Sequence, residues 1–194
     1  MKRASISLLT VCGLEELEDH TASGVTHVLS ILDPGTPDPE PFGRYDRHHR
    51  TILRFHDIIE PMAGMILPQR RHVEEIVEFG EEIVEEAEEG RPGHLLIHCH
   101  MGISRSTAAM TMMLAAANPG EGGDALMDRL TSIRPQAWPN LLMTRFADEI
   151  MGRGGELAGA VTRLHARQIA DKPHLADVFR RLGRAREVEL ALAA

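Results

Sequence analysis

Two cysteines in 194 residues are too few for the disulfide framework of a small secreted scaffold, and a chain of this length can bury a substantial core without one. A reducing cytoplasm is the compartment this usage implies. Basic residues are also short, with 21 Lys and Arg against 29 Asp and Glu for a formal net charge of −8. That balance excludes a generic nucleic-acid or anionic-membrane binder, since both demand a basic excess or a long basic run. No apolar run approaches the roughly 20 residues of a transmembrane helix. Met1-Lys2-Arg3 followed by Ile6 to Cys12 imitates a secretion signal, but the apolar stretch is short and Glu15, Glu16, Glu18 and Asp19 follow at once. Leu9-Thr10-Val11-Cys12 fails as a lipoprotein signal because Val11 is bulky where a small residue is required. The chain is expected to be neither exported nor anchored.

The acidity is local. Glu74 to Glu89 holds nine Glu and no Lys or Arg, and without it the rest of the chain carries about +1. Val73, Ile76, Val77, Gly80, Ile83, Val84 and Ala87 recur there at the spacing of one buried helical face. The Glu residues fill the opposite face, so they serve solubility and leave open a phosphate-bearing substrate elsewhere.

Residues 4–11 and 25–32 are short, apolar and partly β-branched, with a helical-looking stretch over 14–22 between them. Four Pro and two Gly between Asp33 and Arg50 indicate a surface loop with no regular element, whose second half, Arg44 to Arg50, is basic. A strand over 51–56, the acidic helix over 69–89, closed by Arg91-Pro92-Gly93, and a strand over 94–98 follow. Residues 105–117 are rich in Ala and Met without a breaker, which favours a buried helix. Further helical segments are expected near 122–133, 140–151, 155–168 and 173–193. Strands alternating with helices predict an α/β fold, with a central, mostly parallel sheet flanked by helices. One domain over 1–194 is expected, with a core over about 4–150 and a C-terminal helical extension over about 155–194.

The chemistry is concentrated in His98-Cys99-His100-Met101-Gly102-Ile103-Ser104-Arg105-Ser106. A Cys with an Arg six positions later is common by chance. Here the pair is preceded by an apolar strand, contains a Gly, flanks its Arg with Ser and runs into an uninterrupted helix. Successive backbone N–H groups of a tight loop, added to an open helix N-terminus, form a site for a tetrahedral dianion. Gly102 permits a conformation and a close approach that a side chain forbids. Arg105 can present a planar fork to two phosphate oxygens, while Cys99 lies at the base of the loop. Helix N-termini and guanidinium groups also lower a thiol pKa from about 8.5 by several units, so the same loop can make the attacking thiolate. Ser106 can hydrogen-bond that sulfur.

This segment resembles the signature loop of the cysteine-dependent protein tyrosine phosphatases, most closely the dual-specificity branch, where His-Cys-x-x-Gly-x-Ser-Arg-Ser is usual. The order of elements over about 4–150 is similar to that family's domain, while the last forty or so residues have no recognised counterpart. The resemblance implies Cys99 as nucleophile, Arg105 as phosphate clamp and Ser106 as the group assisting the second step. It implies phosphate binding by the backbone of His100, Met101, Gly102, Ile103, Ser104 and Arg105, with His98 an orienting donor behind the thiolate. It also implies an upstream Asp as general acid and then base. Asp57 is the one Asp between Asp46 and Cys99 and follows a predicted strand, although its 42-position separation from Cys99 exceeds the family's usual spacing. Glu60 is the reserve.

No cofactor is implied, and no metal, because His48, His49, His56, His98 and His100 lack zinc-ligand spacing. Cys12 could form a protective disulfide with Cys99 or be a core thiol. Trp138, in Arg134-Pro135-Gln136-Ala137-Trp138-Pro139-Asn140, could wall the pocket or anchor the core, and Gln136 could position water. The aromatic recognition motif of tyrosine-selective members and the in-loop Lys of inositol-lipid members are both missing. The expected activity is hydrolysis of phosphate monoesters on protein, at phosphotyrosine or with dual specificity, or on a small phosphomonoester. A catalytically impaired phosphate-binding module, a phosphoinositide phosphatase and a rhodanese-like or arsenate-reducing enzyme are the alternatives. No nucleic-acid or membrane partner is expected.

Overall fold

The computed structural model describes residues 8–88 and 93–194. Four strands, β1 (Leu8–Cys12), β2 (His27–Leu32), β3 (His49–Arg54) and β4 (His94–His98), pair entirely in parallel in the order β1-β4-β2-β3. Cys12 is level with His98, and Ser30 pairs with His98 from the other side. Because β4 is flanked on both edges and covered on both faces, all five of its residues are buried, and its centre, Leu95-Leu96-Ile97, is apolar without alternation.

Alternation along β4 sorts its side chains into two cores. Leu95, Ile97 and Cys99 join the main core with α1 (Arg70–Glu88) and α2 (Arg105–Ala117). Leu96 faces a smaller cluster with Cys12, Leu17, Val28 and Phe42. In α1 the apolar positions Val73, Ile76, Val77 and Ile83 are buried, as the periodicity requires. Arg105 through Ala115 of α2 are all buried, because this helix is enclosed by the sheet, α1, α3 (Gly123–Ile133) and α4 (Leu141–Ile150).

Three further helices, α5 (Glu156–Asp171), α6 (His174–Arg181) and α7 (Ala185–Leu192), complete the chain. Asp148 of α4 receives the N–H groups of Leu157 and Ala158 at 2.9 and 2.8 Å, capping α5 and fixing it to the body. Trp138, Ile169, Ala176, Phe179 and Val188 form a third core that joins α6 and α7 to the loop before α4.

Several boundaries differ from those expected. Residues 4–7 and 89–92 lie outside the described residues. The 14–22 segment is a 3-10 helix, Leu14–His20, that turns Leu17 into the smaller core. The Pro-rich loop contains a 3-10 helix at Glu40–Arg44, which its breakers disguised, burying Phe42. β3 begins at His49, two residues early, because pairing with β2 extends it. The 173–193 segment is divided at Gly183, whose φ of +75° stops α6 and redirects the chain into α7.

Candidate active site

In a parallel sheet, ligands bind beyond the carboxyl ends of the strands where the order of connection reverses. All four strand ends converge there. β1 leads to Gly13, β2 to Asp33, β3 to Phe55 and Asp57, and β4 to Cys99. The Leu14 N–H donates to the His100 carbonyl at 2.9 Å, holding the 99–105 loop against the end of β1. Gly102 has φ +67°, and a Cβ on it would stand 2.5 Å from the Cys12 carbonyl carbon, so only glycine fits.

Cys99 Sγ is buried and lies 3.2 Å from Oγ of Ser106, the second residue of α2. Among the described residues the N–H groups of Met101 through Ser104 donate to no protein acceptor. The Ile103 and Ser104 carbonyls are engaged instead, by the N–H groups of Trp138 and Asn140. These bonds keep the loop closed while its donors remain available at the start of α2.

Arg105 is only 3% exposed. Its Nη1 donates at 2.6 Å both to Asp33 Oδ1 and to the Phe55 carbonyl, while the buried Nε has no partner. One end of the guanidinium is thus anchored, and the Nε–Nη2 edge is left for a bidentate contact with an anion. Asp33 is tied in further by its own N–H, which donates to His100 Nε2 at 3.1 Å.

Asp57 lines one cavity together with Cys99, Ser104 and Arg105. Its Oδ1 accepts from Ser104 Oγ at 2.7 Å, Asn140 Nδ2 at 3.0 Å and Arg184 Nη1 at 3.0 Å. Oδ2 accepts no hydrogen bond among the described residues. Burial raises the Asp57 pKa, but the Arg184 and Arg105 guanidiniums and the bonds from Ser104 and Asn140 outweigh it and hold the carboxyl below its ordinary range. Arg184 is itself buried, and its Nη2 donates to Glu187 Oε1 at 2.7 Å. Glu187, fully buried, also accepts from Trp138 Nε1 at 2.8 Å and Leu141 N–H at 2.9 Å. A chain of charge therefore runs from α7 through Arg184 to Asp57 and the phosphatase-like loop.

The remaining sequence candidates are placed as follows. His98 is fully buried with Nε2 2.6 Å from Ser30 Oγ, so that nitrogen bonds the neighbouring strand, not the Cys99 sulfur. Burial, aided by Arg50, pushes its pKa down to about 3, and the ring is neutral. Met101 is largely exposed at the rim, and Ile103 packs towards the Trp138 cluster. Glu60 pairs with Arg186 at 3.4 Å. Two arginines of the basic stretch are engaged away from the loop: Arg44 bonds Glu18, and Arg50 donates to Ser30 Oγ and lies over the Phe42 ring. Cys12 and Cys99 are free thiols in different clusters, and burial pushes the Cys12 pKa up to about 12. Trp138 fills both expected roles, lining the cavity while stacked between His165 and Phe179. Among the described residues no group of three or more His, Cys, Asp or Glu could hold a metal ion, and no helix is long and apolar enough to cross a membrane.

No family model matches the chain, and no curated protein matches its sequence. Solved structures do match. Human DUSP28 superposes with a TM-score of 0.54 at 17% identity, over 78% of this chain and 98% of that one. Tk-PTP in its active form gives 0.53 at 18% identity over 77% and 96%, and DUSP15 gives 0.51 at 21% over 79% and 89%. The chain has the dual-specificity phosphatase fold. Since DUSP28 is covered almost completely, about a fifth of this chain is additional to the shared fold.

Asp33, Asn140, Arg184 and Glu187 are the site residues that sequence reasoning missed. Asn140 stood in a noted Pro-Asn stretch, whereas a charged pair three apart in a terminal helix reads as solvated surface, and nothing in the pattern marks it as buried.

Proposed function

We propose that this protein hydrolyses phosphate monoesters through a phosphocysteine formed on Cys99. The observation that carries this reading is the anion cradle above the Cys99 sulfur: a buried Arg105 with an unpartnered Nε, and unused loop N–H groups at the start of α2. Leaving the buried Nε without a hydrogen-bond acceptor is costly, and a bound anion would supply one.

The phosphate would sit on the loop N–H groups and the Nε–Nη2 edge of Arg105, with Cys99 Sγ in line behind phosphorus. Sulfur attack forms the S–P bond and breaks the P–O bond, and the leaving oxygen takes a proton from Asp57 Oδ2. Water then attacks phosphorus and gives a proton to the same carboxylate. The S–P electron pair returns to sulfur, stabilised by Ser106 Oγ at 3.2 Å. Binding a dianion beside Asp57 raises its pKa, which favours the protonated form needed for the first step.

The test is turnover of p-nitrophenyl phosphate and of phosphotyrosine and phosphoserine peptides, with and without chelator. Wild type is expected to release phosphate unaffected by chelator, and Cys99→Ser to lose at least about a thousandfold in kcat. Equal rates for the two proteins would overturn the proposal. A second reading, phosphate binding without turnover, is favoured by the three donors that pin Asp57 Oδ1. It predicts phosphopeptide binding with no phosphate release by wild type.

A further inference from the structure

The cradle opens into a cavity of about 520 Å³, within the range of sites that enclose a small molecule. Much of its wall is aliphatic, with Met62 and Met65 from the segment after Asp57, Met101 from the loop, and Leu175, Val178 and Leu182 from α6 and its end, while His56, Gln136 and Gln168 are its neutral polar members beyond the loop. Of the nine large apolar side chains most exposed among the described residues, five line this one cavity: Met62 46%, Met65 43%, Met101 68%, Val178 42% and Leu182 61%. Such a concentration of solvent-facing apolar surface around a phosphate cradle marks a ligand with an apolar body.

The wall has little to offer a charged or aromatic group. Arg184 is 2% exposed and bonded to Asp57, Ser104 and Glu187, which leaves Lys172 as the one remaining cation of the lining beyond the loop, exposed at the edge. The Trp138 ring is sandwiched, with His165 at 4.0 Å on one side and Phe179 at 3.8 Å on the other, so neither face is open for stacking a substrate ring. Methionine thioethers and branched aliphatic side chains instead suit a flexible chain.

We propose that the substrate is a monophosphate ester of a long-chain aliphatic alcohol, its phosphate on the Cys99 loop and its hydrocarbon chain lying between the two methionines and α6. This rests on the phosphatase reading above. The S–P bond forms as the P–O(alkyl) bond breaks, Asp57 protonates the departing alkoxide, and water releases inorganic phosphate from sulfur.

A series of n-alkyl phosphates from ethyl to decyl, kept below micelle-forming concentrations, tests it. The leaving oxygens are nearly equivalent in basicity, so any trend reports the chain. kcat/KM is expected to rise roughly two- to fourfold per methylene until the cavity is filled, and about a hundredfold or more across the series. The ratio of decyl to ethyl rates should fall at least tenfold in Val178→Asn/Leu182→Asn, which alters exposed positions and leaves the core intact. A flat series, or a phosphotyrosine peptide preferred over decyl phosphate, would overturn the inference while Cys99-dependent release from p-nitrophenyl phosphate upheld the phosphatase reading. Loss of every activity would remove both.

Discussion

Replacing Arg184 with Met removes the positive charge 3.0 Å from Asp57 and should raise the pH at which that carboxyl loses its proton. Two unit charges at that distance attract by about 5 kcal/mol at an effective dielectric of about 20. A variant would lose only part of this, since the Asp57 side chain is 31% exposed and Arg105 still acts on it. Neighbouring guanidiniums typically lower a carboxyl by about one to three units, each about 1.4 kcal/mol. Asp57 must be protonated to donate, so the basic limb of kcat/KM, which reports the free protein, should move to higher pH by about one to three units. Profiles would be compared for wild type, Arg184→Met and Arg184→Lys, on an alkyl phosphate that depends on the acid and on p-nitrophenyl phosphate, whose good leaving group needs it less. Lys keeps the charge and should hold the limb near its original position. Removing Arg184 also strands buried Glu187, so each variant is first checked for a cooperative melt. A folded Arg184→Met protein whose basic limb stays in place on the alkyl ester would refute the coupling.

Gly102→Ala should lose roughly 2–4 kcal/mol of stability in denaturant titrations and nearly all turnover, because it forces a side chain at φ +67° into the Cys12 carbonyl. Ser106→Ala should leave the first step and slow the second, so rapid mixing with p-nitrophenyl phosphate should show a burst of one nitrophenol per protein followed by a steady rate about tenfold or more below wild type. Asp33→Asn weakens the 2.6 Å anchor on Arg105, and an increase of about tenfold in the inhibition constant of inorganic phosphate is expected. Folded Asp57 has a depressed pKa, so its contribution to stability is present above the unfolded value of about 3.9 and is lost as pH falls through the folded one. The stability gap between wild type and Asp57→Asn, from urea unfolding at several pH values, should therefore narrow below about pH 4.

The parallel sheet was legible because Leu95-Leu96-Ile97 is a short apolar run that follows a Pro-Gly break, a pattern consistent with a strand covered on both faces, and because α1 kept helical spacing. Cys99, Gly102, Arg105 and Ser106 could be singled out together, since a loop fused to a helix is one continuous segment. Asp57 was singled out because the resemblance implies an upstream Asp and it is the one Asp between Asp46 and Cys99. Asp33 could not be, because its place beside Arg105 depends on β2 and β4 being neighbours, which no local pattern encodes. His98 was expected as an orienting donor behind the thiolate; strand alternation sets its Nε2 on Ser30, and the ring also interacts with the Cys99 backbone.

The C-terminal helices touch both the loop and the acid side of the site. Trp138 forms a hydrogen bond with Glu187 and stacks on Phe179, so α6 and α7 are held by the same residue whose N–H closes the Cys99 loop at Ile103. From that position α6 supplies an aliphatic wall and the turn after it supplies Arg184 to Asp57. An alkyl alkoxide is a poor leaving group and depends on a proton donor, whereas a nitrophenolate does not. A substrate chain settling against Leu175 and Leu182 therefore bears on the same helices that position the acid's charge partner. If chain binding and acid function are coupled in this way, the alkyl-length dependence should be steeper in kcat/KM for alkyl phosphates than in the affinity of the matching alkyl phosphonates, which bind but cannot be cleaved. Equal slopes for the two series would show that α6 contributes binding alone and that Arg184 acts on Asp57 independently of what fills the cavity.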